Sequence, residues 1–219
     1  MTQRHLPSRP FSPAFTLIEL LVVVALVGIL MGLAAPALTS VMRGNDMARA
    51  QQIVESSIEF ARQTAIVRNR RVELRFYKFN DPLHPSGAEV FRGVQPFLIE
   101  ENNDARPLGK FLPLPAPIII SSSPVLSPAL NSNDKTFSSA SPADPKVAIP
   151  GRGTSYSAKV IVFRPDGSTN LEQKKDFLTM HPARNPTEAS LTAIGTDQMP
   201  DYCVIQIDPL SGAAMAYRP

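Results

Sequence analysis

The chain holds few residues that could do chemistry, and they are scattered. His5 lies among the first fourteen residues, and His84 and His181 each stand alone beside a proline. Cys203 is the only cysteine, which rules out an intramolecular disulfide and any cysteine-based metal spacing. Asp197, Asp201 and Asp208 fall close together but lack the ladder of ligands that a calcium loop needs. Ser155 and Ser168 have no nucleophile-elbow context, and Asp166-Gly167 reads as turn chemistry. The residues therefore predict neither a metal nor a cofactor, and no enzyme. One acid is out of place. Glu19 sits at the edge of an apolar run, where a carboxylate is costly and is usually paired. Read from the residues alone, it is either a functional carboxylate or a charge at a membrane interface.

The run beside Glu19 extends without a charge from Leu20 to Met42, 23 residues. As a helix it would cover roughly 34 Å, enough to cross a hydrocarbon core of about 30 Å. Ala34, Ala35 and Ala37 would suit cleavage of an ordinary secretory signal peptide, whose apolar region is usually shorter. Against that reading, helical periodicity continues beyond the apolar run. From Asp46 to Arg68 there is no Pro or Gly, and Ala50, Ile53, Val54, Ser57, Ile58, Ala61 and Ala65 recur at spacings of three and four. One helix from about Phe15 to Arg68 is the simplest account. Two helices joined by a turn at Gly44-Asn45 remain the alternative.

The formal charge of +3 falls to +1 once Arg4 and Arg9 are set aside, and no basic stripe carries interleaved aromatics. Nucleic acid is therefore not an evident partner. Arg4, His5 and Arg9 favour a cytoplasmic N-terminus, whereas Arg43 and Arg49 weaken that signal.

After the helix the pattern changes from a period near 3.6 to one of 2. Val72, Leu74 and Phe76 alternate with Glu73, Arg75 and Tyr77, as in a half-buried strand. A second strand is expected over Val94 to Glu100, with Pro96 pointing to an edge or a bulge. Ile118 to Ile120 reads as a short buried strand and Ala158 to Phe163 as the strongest one. Tyr202 to Ile207 and Ala213 to Tyr217 form a terminal hairpin across Asp208-Pro209-Leu210-Ser211-Gly212. Between these, 121–150 is rich in Ser, Pro, Asn and Ala and is expected to be a long mobile loop, and 171–200 a second irregular insert.

The words around Glu19 are Ala14-Phe15-Thr16-Leu17-Ile18-Glu19-Leu20-Leu21. They resemble the prepilin processing motif of type IV pilins and type II secretion pseudopilins, and the likeness continues through Gly28 and Pro36, where pilins carry a helix glycine and a kinking proline. The family nearly always has Gly before the cut, whereas this chain has Ala14. The resemblance implies a leader over 1–14, cleavage between Ala14 and Phe15 by a prepilin peptidase, N-methylation of Phe15, and a transmembrane, filament-core helix over 15–42. It further implies an amphipathic continuation over 43–68, a β-rich periplasmic head over 69–219, and an α+β, pilin-like fold with a small antiparallel sheet. Glu19 would pair with the terminal amine of a neighbouring subunit. Partners would be other pilin or pseudopilin subunits, the prepilin peptidase and methyltransferase, the inner-membrane assembly platform and membrane lipid. The protein would sit in the inner membrane with its N-terminus cytoplasmic, and reach a pilus or the cell surface after assembly.

Three local features of the head resemble the H-type minor pseudopilins and FimT-like minor pilins: Leu112-Pro113-Leu114-Pro115 before an apolar strand, Val162-Phe163-Arg164-Pro165-Asp166-Gly167, and the closing hairpin with Gly212. The N-terminus is also similar to a pilin-like group, Verru-Chthon cassette protein D. The function implied is a structural minor subunit of a type IV pilus or secretion pseudopilus. The other reading is a membrane-anchored periplasmic binding module.

Overall fold

Met47, Ala50, Val54, Ile58, Ala61 and Ala65 fall on one face of a helix, and burying that stripe organises everything that follows it. The computed structural model describes residues 16–80, 89–131, 144–151, 153–183 and 201–218, and for 33–43 the backbone only. Helix α1 runs Leu17–Arg68, assigned without interruption through Pro36 and Gly44-Asn45. The turn that would divide it into two helices is absent. The chain divides into two units, Met1–Met42 and Arg43–Pro219.

In the first unit, α1 exposes every described side chain from Leu17 to Gly32. All of these are apolar or glycine except Glu19. Among the described residues, no helix is long and apolar enough to cross a membrane. The described part of the apolar run ends at Gly32, ahead of the limit at Met42 expected for the span.

In the second unit, α1 backs an antiparallel sheet. Its strands are β1 (Val72–Phe79), β2 (Val90–Ile99), β3 (Ala105–Pro107), β4 (Leu112–Pro113), β5 (Ile118–Ile120), β6 (Ser157–Phe163), β7 (Phe177–Pro182), β8 (Cys203–Ile207) and β9 (Ala214–Tyr217). The order across the sheet is β6-β1-β2-β5-β7-β8-β9, and β3 and β4 also pair with β2. Alternate residues of the strands face the helix: Val72, Leu74 and Phe76 from β1, Ile161 and Phe163 from β6, Leu178 and Met180 from β7, and Cys203, Ile205 and Ile207 from β8. The fold is α+β in the pilin-like manner, a helix packed on an antiparallel sheet.

Four expectations need correction. First, β1 is buried on both faces. Glu73, Arg75 and Tyr77 are nearly as inaccessible as their apolar neighbours because Pro145, Tyr156 and residues near them cover that side. Second, β2 is interior despite Pro96. The Pro96 carbonyl accepts from Leu108 N at 3.0 Å on the side away from β1. The ring nitrogen faces the same side, in the gap between the residues paired with β4 and those paired with β3, so no ladder donor is lost. The one register shift between β1 and β2 lies at Tyr77/Lys78. Third, the start of the expected loop is part of the core. Ala129 and Leu130, in a 3-10 turn over Pro128–Leu130, join the main apolar cluster, and Thr179 donates to Leu126 O at 2.5 Å. Residues 132–143 of that loop lie outside the described residues. Fourth, the expected irregular insert at 171–200 supplies β7, an interior strand; 184–200 lie outside the described residues.

The ends of two strands meet below the helix. The turn after β6 and the turn after β8 touch where Thr169 N donates to Pro209 O at 2.8 Å. Arg62 of α1 donates from Nε to Ser211 O at 2.6 Å and pairs with Glu59 at 3.1 Å. Gly167 (φ 88°) and Gly212 (φ 66°) lie at this junction.

A protein beginning at Gly44 should therefore be soluble, monomeric and cooperatively folded, because the apolar stripe of α1 is covered within the second unit. Each fully buried Val or Ile in that stripe is worth about 1.5–3 kcal/mol. Sedimentation and thermal melting test this; aggregation or a broad, non-cooperative melt would mean that the packing of helix on sheet is wrong.

Candidate functional site

Ala14 and Phe15, the expected cleavage pair, lie outside the described residues. The site is therefore described from Thr16 onward. Thr16 precedes the first helical residue, and Glu19 falls in the first turn. Glu19 N donates to Thr16 Oγ1 at 3.3 Å, and the Glu19 carboxylate accepts from Thr16 N at 3.3 Å and Thr16 Oγ1 at 3.1 Å. This is the reciprocal capping box, in which a hydroxyl and a carboxylate satisfy backbone donors that the helix start leaves unpaired. The negative charge also opposes the positive end of the helix dipole. Thr-x-x-Glu directly before an apolar run is the sequence signal for such a start, and it shows a role for Thr16 that the reading of the residues missed.

Capping does not exhaust Glu19. A carboxylate offers about four lone-pair positions. Two local donors therefore leave acceptor capacity for a cation. Gly28 lies further along α1, and an added Cβ there would meet nothing within 4 Å. Pro36 lies within the helical backbone, and its side chain is outside the described residues.

Asp166, Asp208, Cys203 and His181 serve turns or the core. Asp166 accepts from Ser168 N at 2.9 Å and Ser168 Oγ at 2.7 Å, which holds its carboxyl below the usual range. Asp208 does the same with Ser211 Oγ at 2.5 Å and Leu210 N at 3.1 Å, again with a lowered pKa. Cys203 is buried against the helix, and burial, with the Glu55 charge nearby, pushes its thiol up to about 11. Such a thiol carries almost no thiolate at neutral pH and packs as a small apolar group. His181 is buried, with Nδ1 2.9 Å from Pro182 O. Among the described residues, no group of three or more His, Cys, Asp or Glu is placed to hold a metal ion. A shallow groove of about 260 Å³ lies along α1, lined by Phe60, Gln63, Thr64, Val67, Arg68 and Leu108. Its polar lining is the Gln63 amide, the Thr64 hydroxyl and the Arg68 guanidinium, with no carboxylate, imidazole or thiol among them.

The prokaryotic N-terminal methylation motif matches residues 13–35. No curated protein and no solved structure matches the chain. The motif supports a prepilin peptidase substrate of the type IV pilin and pseudopilin kind.

Proposed function

We propose that this protein is a minor pilin or pseudopilin: a structural subunit, cleaved and N-methylated at Phe15, that assembles with related subunits into a type IV pilus or a type II secretion pseudopilus. The observation that carries the reading is the methylation motif over 13–35, set at the head of a helix whose later turns back an antiparallel sheet. The protein waits in the inner membrane with its N-terminus in the cytoplasm and its head in the periplasm. The apolar run to Met42 acts first as anchor and then as filament core, with Gly28 and Pro36 adjusting its packing. Glu19 supplies a charge at the edge of that run and pairs with the methylated amine of a neighbour. Desolvated charges are costly alone and stable together, so the pair sets the register of the incoming subunit. The strand–turn at Val162–Gly167 and the closing hairpin through Gly212 favour the H-type branch.

Processing gives the direct test. Intact-mass and N-terminal peptide mass spectrometry on protein from its native host should show loss of Met1–Ala14 and one added methyl group on Phe15. A mature start near Ala35–Leu38 would make the segment an ordinary signal peptide instead and sink this reading.

A further inference from the structure

We propose that residues 144–151 and 153–156 form a strap that opens as a unit of its own, without unfolding the helix-backed core, and that buried Arg75 is its latch. The strap lies on the face of β1 and β2 opposite the helix. Its apolar side chains belong to clusters separate from the main core: Ile149 and Tyr156 pack with Tyr77, Phe79 and Ala158, and Val147 packs against Phe97, Ile99 and Ala105. Separate clusters are the structural condition for separate cooperative units.

The strap buries little of itself. Ile149 and Tyr156 are buried, Val147 is half-buried, and Ala148, Pro150, Gly151, Gly153, Thr154 and Ser155 are exposed. It is held in shape by bonds within itself. Ile149 and Gly153 exchange backbone hydrogen bonds at 2.8 and 2.9 Å, and Tyr156 OH donates to Val147 O at 2.8 Å. A pairing so short does not persist in water once undocked. Protection of these amides therefore reports whether the strap is on the sheet.

Arg75 joins the two. Its guanidinium lies 3.8 Å from the centre of the Phe97 ring and donates to Glu73 Oε2 at 3.0 Å. From Nη1 it donates to the strap carbonyl of Pro145 at 3.1 Å, and its Nη2 lies 3.9 Å from Asp144 Oδ1. A planar fork reaches Glu73 and the strap together, which a lysine ammonium does not. Opening uncovers the strap side of Tyr77 and Phe97 and the Glu73–Arg75 pair.

Hydrogen exchange followed by mass spectrometry on the full chain in detergent tests the proposal. In the unaltered protein, strap amides should exchange through openings that depend weakly on denaturant, while amides of β1 and β6 follow global unfolding. Arg75→Lys keeps a cation beside Glu73 and loses the fork; strap exchange should rise about tenfold with the core unchanged. Ile149→Ala, which leaves the ion pair intact, should do the same. The proposal is overturned if strap amides exchange only with global unfolding, if Arg75→Lys leaves them unchanged, or if strap and core accelerate by one common factor.

Discussion

Glu19→Ala should insert into the membrane and be cleaved like the unaltered protein, yet be lost from assembled filaments by tenfold or more. Insertion survives because removing a charge makes the segment more apolar, and cleavage survives because the Ala14–Phe15 bond keeps its neighbours. In the filament proposed above, assembly fails because the neighbour's amine would be left unpaired in an apolar core, where a lone charge costs several kcal/mol. The capping box provides a rival explanation that the same series resolves. Alanine removes both the charge and the acceptor that caps Thr16 N and Oγ1. Glutamine retains an acceptor, and capping boxes tolerate it, but it has no charge. Loss of a cap costs about 1 kcal/mol, too little to abolish incorporation. If charge is what matters, Glu19→Gln fails nearly as badly as Glu19→Ala. If Glu19→Gln assembles normally, the carboxylate is a helix cap and not the mark of register. The measurement compares mature membrane-bound protein with sheared filament material for each variant. A mild defect with both variants would place the subunit at a filament tip, where one neighbour is missing.

Gly212→Ala should lower the melting temperature of the protein beginning at Gly44 by roughly 6–12 °C, corresponding to about 3 kcal/mol for a domain of this size. Two costs combine. At φ 66° a side chain must adopt the left-handed conformation, at about 1–2 kcal/mol. The added Cβ would also stand 2.5 Å from Gly167 O and 3.3 Å from both Arg62 Cδ and Phe163 Cδ1. The nearest of these is backbone, so relief means parting the two turns that Thr169 N and Pro209 O hold together. Gly109→Ala is the control, since a Cβ there meets nothing within 4 Å; its change should stay within about 0.5 kcal/mol. A Gly212→Ala protein melting within 2 °C of the original, read by circular dichroism, would mean that the junction is slack.

The helix, four of the strands and the closing hairpin were legible, α1 from its steps of three and four and β1 and β6 from their steps of two. What escaped was set by distant partners. Glu73 and Arg75 look like the wet side of a strand until a segment some seventy residues later covers them. Pro96 looks like an edge signal until a gap between two short strands absorbs its missing donor. β7 was hidden because Phe177-Leu178-Thr179-Met180-His181-Pro182 neither alternates cleanly nor is rich in branched residues, and its place in the sheet depends on β5 and β8. Ala129 and Leu130 were hidden in a Ser- and Pro-rich stretch whose composition alone argues for a loop. In the candidate site the apolar run and its lone acid were visible at once, whereas the hydroxyl that completes the cap was passed over because Thr16 reads first as part of a processing word.

The pairing of β1 with β6, and of the helix face with β7 and β8, sets an order of events for a newly made chain. The stripe from Met47 to Ala65 emerges first, yet Ile161, Leu178, Cys203 and Ile205, which complete its shelter, come from the last third of the sequence. Contacts of such long separation form slowly, since a long loop must close before any of them is rewarded. Until β8 and β9 are in place, a row of apolar side chains and an unfinished sheet margin stand open to water. The most vulnerable moment of a newly made chain is then the wait for its C-terminus, which the second unit spends with its earliest apolar residues still uncovered.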